Sequence, residues 1–135
     1  MERLLVDTGA WYAYMDQDDQ DHAIVASVLE DNATRLLTTD FVIDETLTLL
    51  RYRAGRDATV RFGEMAFSGE LCRVEHITKP DQQKAWQLFL KYQDHCFSFT
   101  DCTSFILMKR LDIHTAVAID QDFRGFGLLC LPNSH

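Results

Sequence analysis

A chain of 135 residues, 47% hydrophobic and 25% charged, has the size and composition of one globular domain with its own core. No stretch approaches the roughly 18 consecutive apolar residues that a membrane span requires. The net charge of −8 lacks the basic footprint of a protein that draws nucleic acid from a distance, although acids that converge on divalent cations reverse the sign of a site locally.

The first stretch, Arg3-Leu4-Leu5-Val6-Asp7, is an apolar run that stops on an acid. It reads as a strand buried in an α/β sheet with Asp7 at its carboxyl end. No leader pattern precedes it, so cytoplasmic residence is expected. Open parallel sheets hold their ligands in the crevice beyond the strand carboxyl ends, which makes Asp7 a candidate site residue. Its competing role is to cap the following helix, Thr8 to Met15, whose Trp11, Tyr12 and Tyr14 give it one mostly apolar side. The acidic run Asp16 to Asp21 fails as a calcium loop, because Asp21 stands where a glycine is needed and Ser27 where the closing acid is needed. It marks instead a loop and a helix from about Asp21 to Asp31, with His22 on the surface of its first turn.

Arg35 to Thr38 reads as a second strand. Thr39-Asp40 then caps a helix from Phe41 to about Ala54, which Gly55 ends. At about 100° per residue, Asp44, Thr48 and Arg51 share a polar side, whereas Glu45 falls on the opposite side among Phe41, Leu49 and Tyr52. A carboxylate there needs a partner: an arginine, water or a bound cation. Further along, the pattern predicts a helix over Arg56 to Ser68, a strand over Leu71 to Ile77, and a helix over Pro80 to Tyr92 with Trp86, Phe89 and Leu90 inward. Asp101 falls in the first turn of a helix reaching about Leu111, a place where the helix dipole alone favours an acid. A strand from His114 to Ile119 ends on Asp120 and repeats the arrangement of Asp7, with Asp122 and Phe123 behind it, and Leu128 to Leu131 forms the last strand. Strands alternating with helices imply βαβ units and a mostly parallel sheet. Cys72, Cys96, Cys102 and Cys130 form no CxxC pair and sit mostly in apolar runs, the pattern of packed free thiols.

Asp7, Glu45, Asp101 and Asp120 each have an ordinary structural explanation. Brought together without a counter-ion they would repel and raise one another's pKa, and Mg²⁺ or Mn²⁺ is the natural resolution. The order Val6-Asp7-Thr8, Asp44-Glu45 with Leu49 and Leu50, Phe99-Thr100-Asp101-Cys102 with Ser104, and Asp120-Gln121-Asp122-Phe123 resembles the PIN-domain nucleases, specifically the VapC-like ribonuclease toxins of toxin-antitoxin pairs. The resemblance runs over essentially the whole chain, and its more specific motifs are Phe99 to Cys102 and Asp120 to Phe123. Asp19 and His22 ahead of Ala23 also fit it.

That resemblance implies a three-layer α/β/α fold with a mostly parallel central sheet, one PIN-like domain over residues 1–135, and a Mg²⁺- or Mn²⁺-dependent endoribonuclease. It further implies a homodimer inhibited by a co-encoded antitoxin. It carries over Asp7, Glu45, Asp101 and Asp120 as the catalytic quartet, Asp7, Asp101, Asp120 and Asp122 as metal ligands, and Thr8 and Ser104 as supporting hydroxyls. Arg51, Arg53, Arg56, Lys109 and Arg110 are the nearest basic residues for gripping RNA. Two other readings compete. A metal-dependent small-molecule phosphohydrolase using Asp7 as nucleophile lacks the second acid two residues on, because position 9 is glycine. A catalytically silent PIN-like module that binds RNA or protein would have no use for four costly acids kept together.

Overall fold

In the computed structural model, which describes residues 2–133, the first strand β1 (Leu4–Val6) lies at the centre of a sheet and is at most 1% exposed at any residue. Side chains alternate across a strand, so Leu4 and Val6 enter one core and Leu5 the other. A strand buried on both faces reads as an unbroken apolar run, which is what the sequence shows.

The chain continues through α1 (Thr8–Met15), α2 (His22–Asp31), a short 3-10 turn (Ala33–Arg35) and β2 (Leu36–Thr39). It then forms α3 (Asp40–Arg53), α4 (Arg56–Ser68), β3 (Arg73–Glu75), α5 (Lys79–Lys91), α6 (Phe99–Arg110), β4 (Thr115–Val117), α7 (Asp122–Gly125) and β5 (Leu129–Leu131). All five strands are parallel, in the order β3-β2-β1-β4-β5. Helices α1 to α4 cover one face through Trp11, Val25, Leu29, Val42, Leu50 and Phe62. On the other face, α5 to α7 bring Ala85, Phe105, Leu107, Met108 and Phe123. The expected three-layer α/β/α arrangement is therefore present.

Helix starts follow local chemistry. Thr39 Oγ1 accepts from the Val42 amide at 3.0 Å to open α3, and reciprocal capping boxes open α5 (Thr78 with Asp81) and α6 (Ser98 with Asp101). Gly69, at φ +80, takes the left-handed conformation that closes α4.

Three expectations are corrected. Trp86, Phe89 and Leu90 do not face inward: they are 50%, 39% and 45% exposed. The buried stripe of α5 runs through Asp81, Ala85 and Leu88, because small Ala85 lets α5 approach α6 closely and Asp81 finds Arg110 there. Second, β4 ends at Val117, so Asp120 stands three residues beyond the strand in a bend and does not repeat the placement of Asp7. Third, His22 is half-buried, its Nδ1 lying 2.8 Å from the Ala13 carbonyl and tying α2 to α1. Among the described residues, no helix is long and apolar enough to cross a membrane.

Candidate active site

Strands β2 and β3 leave β1 on one side and β4 and β5 on the other, so the strand order reverses between β1 and β4. That reversal opens a crevice at the carboxyl ends of the two strands. Asp7 sits directly at it, its amide donating to the Val117 carbonyl at 3.0 Å. The capping alternative is not realised, since Asp7 occupies the N-cap position of α1 but its side chain makes no cap hydrogen bond. Its Oδ1 is buried without a partner among the described residues. Burial raises the Asp7 carboxyl well above the usual carboxylate range, and the charges of Asp101, Asp120 and Glu45 add to that against partial relief from the Thr8 amide.

The other acids converge from three further segments. Glu45, in the second turn of α3, accepts a 2.6 Å hydrogen bond at Oε1 from Thr8 Oγ1. Asp101 does two jobs. Its Oδ2 accepts from the Ser98 amide at 3.0 Å, closing the capping box, while the residue faces the crevice at 5% exposure. Burial pushes Asp101 up to about 7, and Asp122 and Asp120 push in the same direction against the Ser98 amide. Asp120 accepts the Asp122 amide at 3.0 Å through Oδ1. Its carboxyl is also raised, by burial first and then by Asp122 and Glu45.

All five acids and Thr8 line one open cleft of about 630 Å³. Ser104 does not line it: the Ser104 hydroxyl is fully buried one helical turn behind Asp101, without a partner among the described residues. Asp44, expected on the side away from Glu45, reaches the rim, and so do Thr48, Leu49, Tyr52 and Cys96. Sequence reasoning left Tyr52 and Cys96 out of the site. The signal for Tyr52 was present, since seven residues bring a helix back to the face of Glu45. Cys96 sits in the loop ahead of α6 and only the fold brings it to the rim. The other three cysteines are buried, with Cys72 and Cys102 thiols pushed up to about 11 by desolvation.

Of the basic candidates, Arg110 is spoken for: its guanidinium forks onto Asp81 at 3.0 and 2.8 Å, at the opposite end of α6 from Asp101. Lys109 is exposed at that same far end. Arg51, Arg53 and Arg56 are exposed and form no ion pair among the described residues. Among the described residues, no three acids, imidazoles or thiols already stand in metal-holding geometry. The donor set nevertheless fits a hard cation, because it consists of carboxylate oxygens held in desolvated proximity and includes an orphaned one on Asp7.

Comparison with known proteins agrees with this geometry. The PIN domain family model matches residues 4–127. The chain is 32% identical over 126 residues to the 23S rRNA-specific endonuclease VapC20 of Mycobacterium tuberculosis, covering 93% of this chain and 95% of that protein. It is 27% identical over 122 residues to ribonuclease VapC26 of the same organism, covering 87% of each. The crystal structure of M. tuberculosis VapC20, described as a sarcin-ricin loop cleaving toxin, superposes with a TM-score of 0.89 at 30% identity over 93% of this chain and 96% of that one. FitAcB from Neisseria gonorrhoeae shares the fold, with a TM-score of 0.68 at 12% identity over 94% of this chain and 95% of that one. With the acids of four segments gathered at the switch point of a parallel sheet and the family pattern running from β1 to the turn before β5, this chain belongs to the PIN-domain family, among its VapC-like ribonucleases.

Proposed function

We propose that this protein is a divalent-metal-dependent endoribonuclease that hydrolyses RNA phosphodiester bonds in the acidic cleft. Asp7, Glu45, Asp101 and Asp120 are its catalytic acids, and Asp7, Asp101, Asp120 and Asp122 would hold Mg²⁺ or Mn²⁺. The observation that carries this reading is the unpartnered Oδ1 of Asp7, since a carboxylate oxygen buried among other carboxylates is costly until a cation meets it. When bound, such a cation supplies a water of lowered pKa and stabilises charge on the phosphate. The protein's own part is positioning. Thr8 fixes one Glu45 oxygen and leaves the other to take a proton from the attacking water. Asp101, anchored by its capping box, keeps its carboxylate aimed into the cleft without rotamer search. No covalent protein nucleophile is needed.

The names of the similar M. tuberculosis proteins support structured ribosomal RNA as the substrate. The chain acts as the toxin of a toxin-antitoxin pair, restrained by a co-encoded antitoxin. It works as a homodimer in the cytoplasm, a reducing compartment that suits four free cysteines. Trp86 and Phe89, stacked at 5.6 Å, form with Leu90 an apolar face on α5 that a second copy would cover.

The test is incubation of purified protein with ribosomal RNA in Mg²⁺, Mn²⁺ or EDTA, beside calorimetric titration of Mn²⁺. Discrete cleavage that disappears in EDTA and in Asp7→Asn, with weakened Mn²⁺ binding in that variant, is expected. Equal cleavage in EDTA would overturn the metal mechanism.

A further inference from the structure

Tyr52 is the most exposed large hydrophobic side chain among the described residues at 86%, and it forms part of the wall of the cleft that holds the acids. It stands on α3 seven residues beyond Glu45. At about 100° per residue that returns it to the same side of the helix, about 10 Å further along the axis. Thr48 and Leu49 fill the intervening turn and line the same cleft. The stripe thus leads outward from the chemistry to an open aromatic ring, and no aromatic neighbour packs on that ring among the described residues. Leaving such a ring in water forgoes the burial that ordinarily holds a tyrosine against its protein.

Its surroundings indicate what the ring receives. Arg51, Arg53 and Arg56 fall within six residues, in a chain with only 13 Lys and Arg against 21 Asp and Glu. All three are exposed and outside any ion pair among the described residues. Helical geometry turns Arg51 and Arg53 about 100° to either side of Tyr52. An exposed ring between unpaired guanidinium groups, beside an acid cleft, matches the way proteins hold an unpaired nucleotide: the ring stacks on the base and the arginines meet the phosphates.

Resting on the ribonuclease reading of the cleft, we propose that Tyr52 is the stacking platform for an unpaired nucleobase flanking the scissile phosphate, with Arg51 and Arg53 holding the neighbouring backbone. Tyr52 is then a positioning residue. It favours loops and bulges, whose bases are free to splay, over continuous duplex, whose bases are not. It also resolves how an acidic protein holds RNA: the basic contacts are few and concentrated at the outer end of α3, while the inner end is given over to acids.

The experiment measures binding apart from cleavage by using Asp101→Asn as the parent. Fluorescence anisotropy follows two labelled probes, an RNA hairpin with an unpaired loop and a blunt RNA duplex of the same length. Tyr52→Ala is expected to weaken hairpin binding about 5- to 150-fold, equivalent to ~1–3 kcal/mol at ~1.4 kcal/mol per decade, and to leave duplex binding unchanged. Tyr52→Phe and Tyr52→Trp restore hairpin binding. Arg51→Gln lowers the salt slope for both probes, whereas Tyr52→Ala does not. Hairpin binding by Tyr52→Ala equal to that of the parent, or Tyr52→Phe as weak as Tyr52→Ala, overturns the stacking role. So does a change of oligomeric mass in Tyr52→Ala without loss of RNA affinity, which would assign the ring to a protein interface. Failure of the wild type to cleave RNA with Mn²⁺ removes the ribonuclease reading and this proposal with it. Cleavage by the wild type with unaltered binding by Tyr52→Ala removes only the proposal.

Discussion

Thr8 and Glu45, 37 positions apart in sequence, are joined by a 2.6 Å hydrogen bond from the threonine hydroxyl to the glutamate carboxylate. The bond pins the one site acid that lies on the body of a helix to the segment carrying Asp7. Thr8→Val keeps the shape and removes the donor, so it is expected to lower kcat about 10-fold with KM for RNA near wild type, and to cost ~0.5–1.5 kcal/mol of stability. Thr8→Ser restores both. Glu45→Gln should be nearly inactive, whereas Asp44→Asn, altered only at the rim, should stay within about threefold of wild type in the same assay.

The crowding of acids has a pH signature. Asp101 titrates at about 7 in the folded protein against a usual value of 3.8, so between those values the folded state keeps a proton that the unfolded chain has released. The stability that proton contributes is full below about pH 4 and is lost as pH rises through about 7. Asp7, also raised, adds in the same direction. Calorimetry in EDTA should therefore show the melting temperature falling from about pH 5 to pH 8, and Asp101→Asn should flatten that fall. Saturating Mn²⁺ should reverse it, because the cation replaces the proton. A flat profile in wild type would mean that neither burial nor the neighbouring charges hold these carboxyls protonated.

Asp120 and Asp122 face different neighbours. The Asp120 charge is felt by Asp7 and Asp101, while Asp122 bears chiefly on Asp101 and Asp120. Asp120→Asn is expected to lose more Mn²⁺ affinity than Asp122→Asn in calorimetric titration, and to lose more cleavage. Unchanged Mn²⁺ affinity in Asp120→Asn, with loss confined to Asp122→Asn, would exchange their roles.

Arg110 gives a contrasting expectation. Its fork onto Asp81 is stronger than the desolvation of that carboxyl: burial alone would raise Asp81, yet Arg110 and Thr78 hold it below the usual range. Arg110 is 39% exposed, so Arg110→Ala should cost ~1–3 kcal/mol in urea unfolding, less than a fully buried pair would. RNA affinity at fixed salt should not change. Loss of RNA binding in a variant that is still fully folded would return Arg110 to the RNA surface.

What was legible in the sequence follows from how local each signal was. The apolar run into Asp7 and the place of Asp101 in the first turn of its helix are written in adjacent residues, and both stand where the pattern puts them. The face of α5 was misread because Trp86, Phe89 and Leu90 form an apolar stripe at helical spacing, while the stripe that packs is headed by an acid whose partner lies 29 positions away. The extent of β4 was misread for a related reason. Ala118 and Ile119 continue the apolar run, but pairing with β1 and β5 lasts only from Thr115 to Val117 before the chain bends toward Asp120. Whether Ser104 supports the site could not be read from its spacing, and its hydroxyl lies in the core behind Asp101.

The pairing of Leu4 with Thr115, Leu5 with Ala116 and Val6 with Val117 joins nearly the two ends of the described chain. Contacts so distant in sequence require closure of a long loop and so form slowly. Asp7 is present from the outset, but Asp120 reaches it only when β4 docks beside β1. On the proposed quartet, a newly made copy is expected to gain activity only once β4 has docked, and a fluctuation that peels β4 and β5 from the sheet would take Asp120 away from Asp7 again.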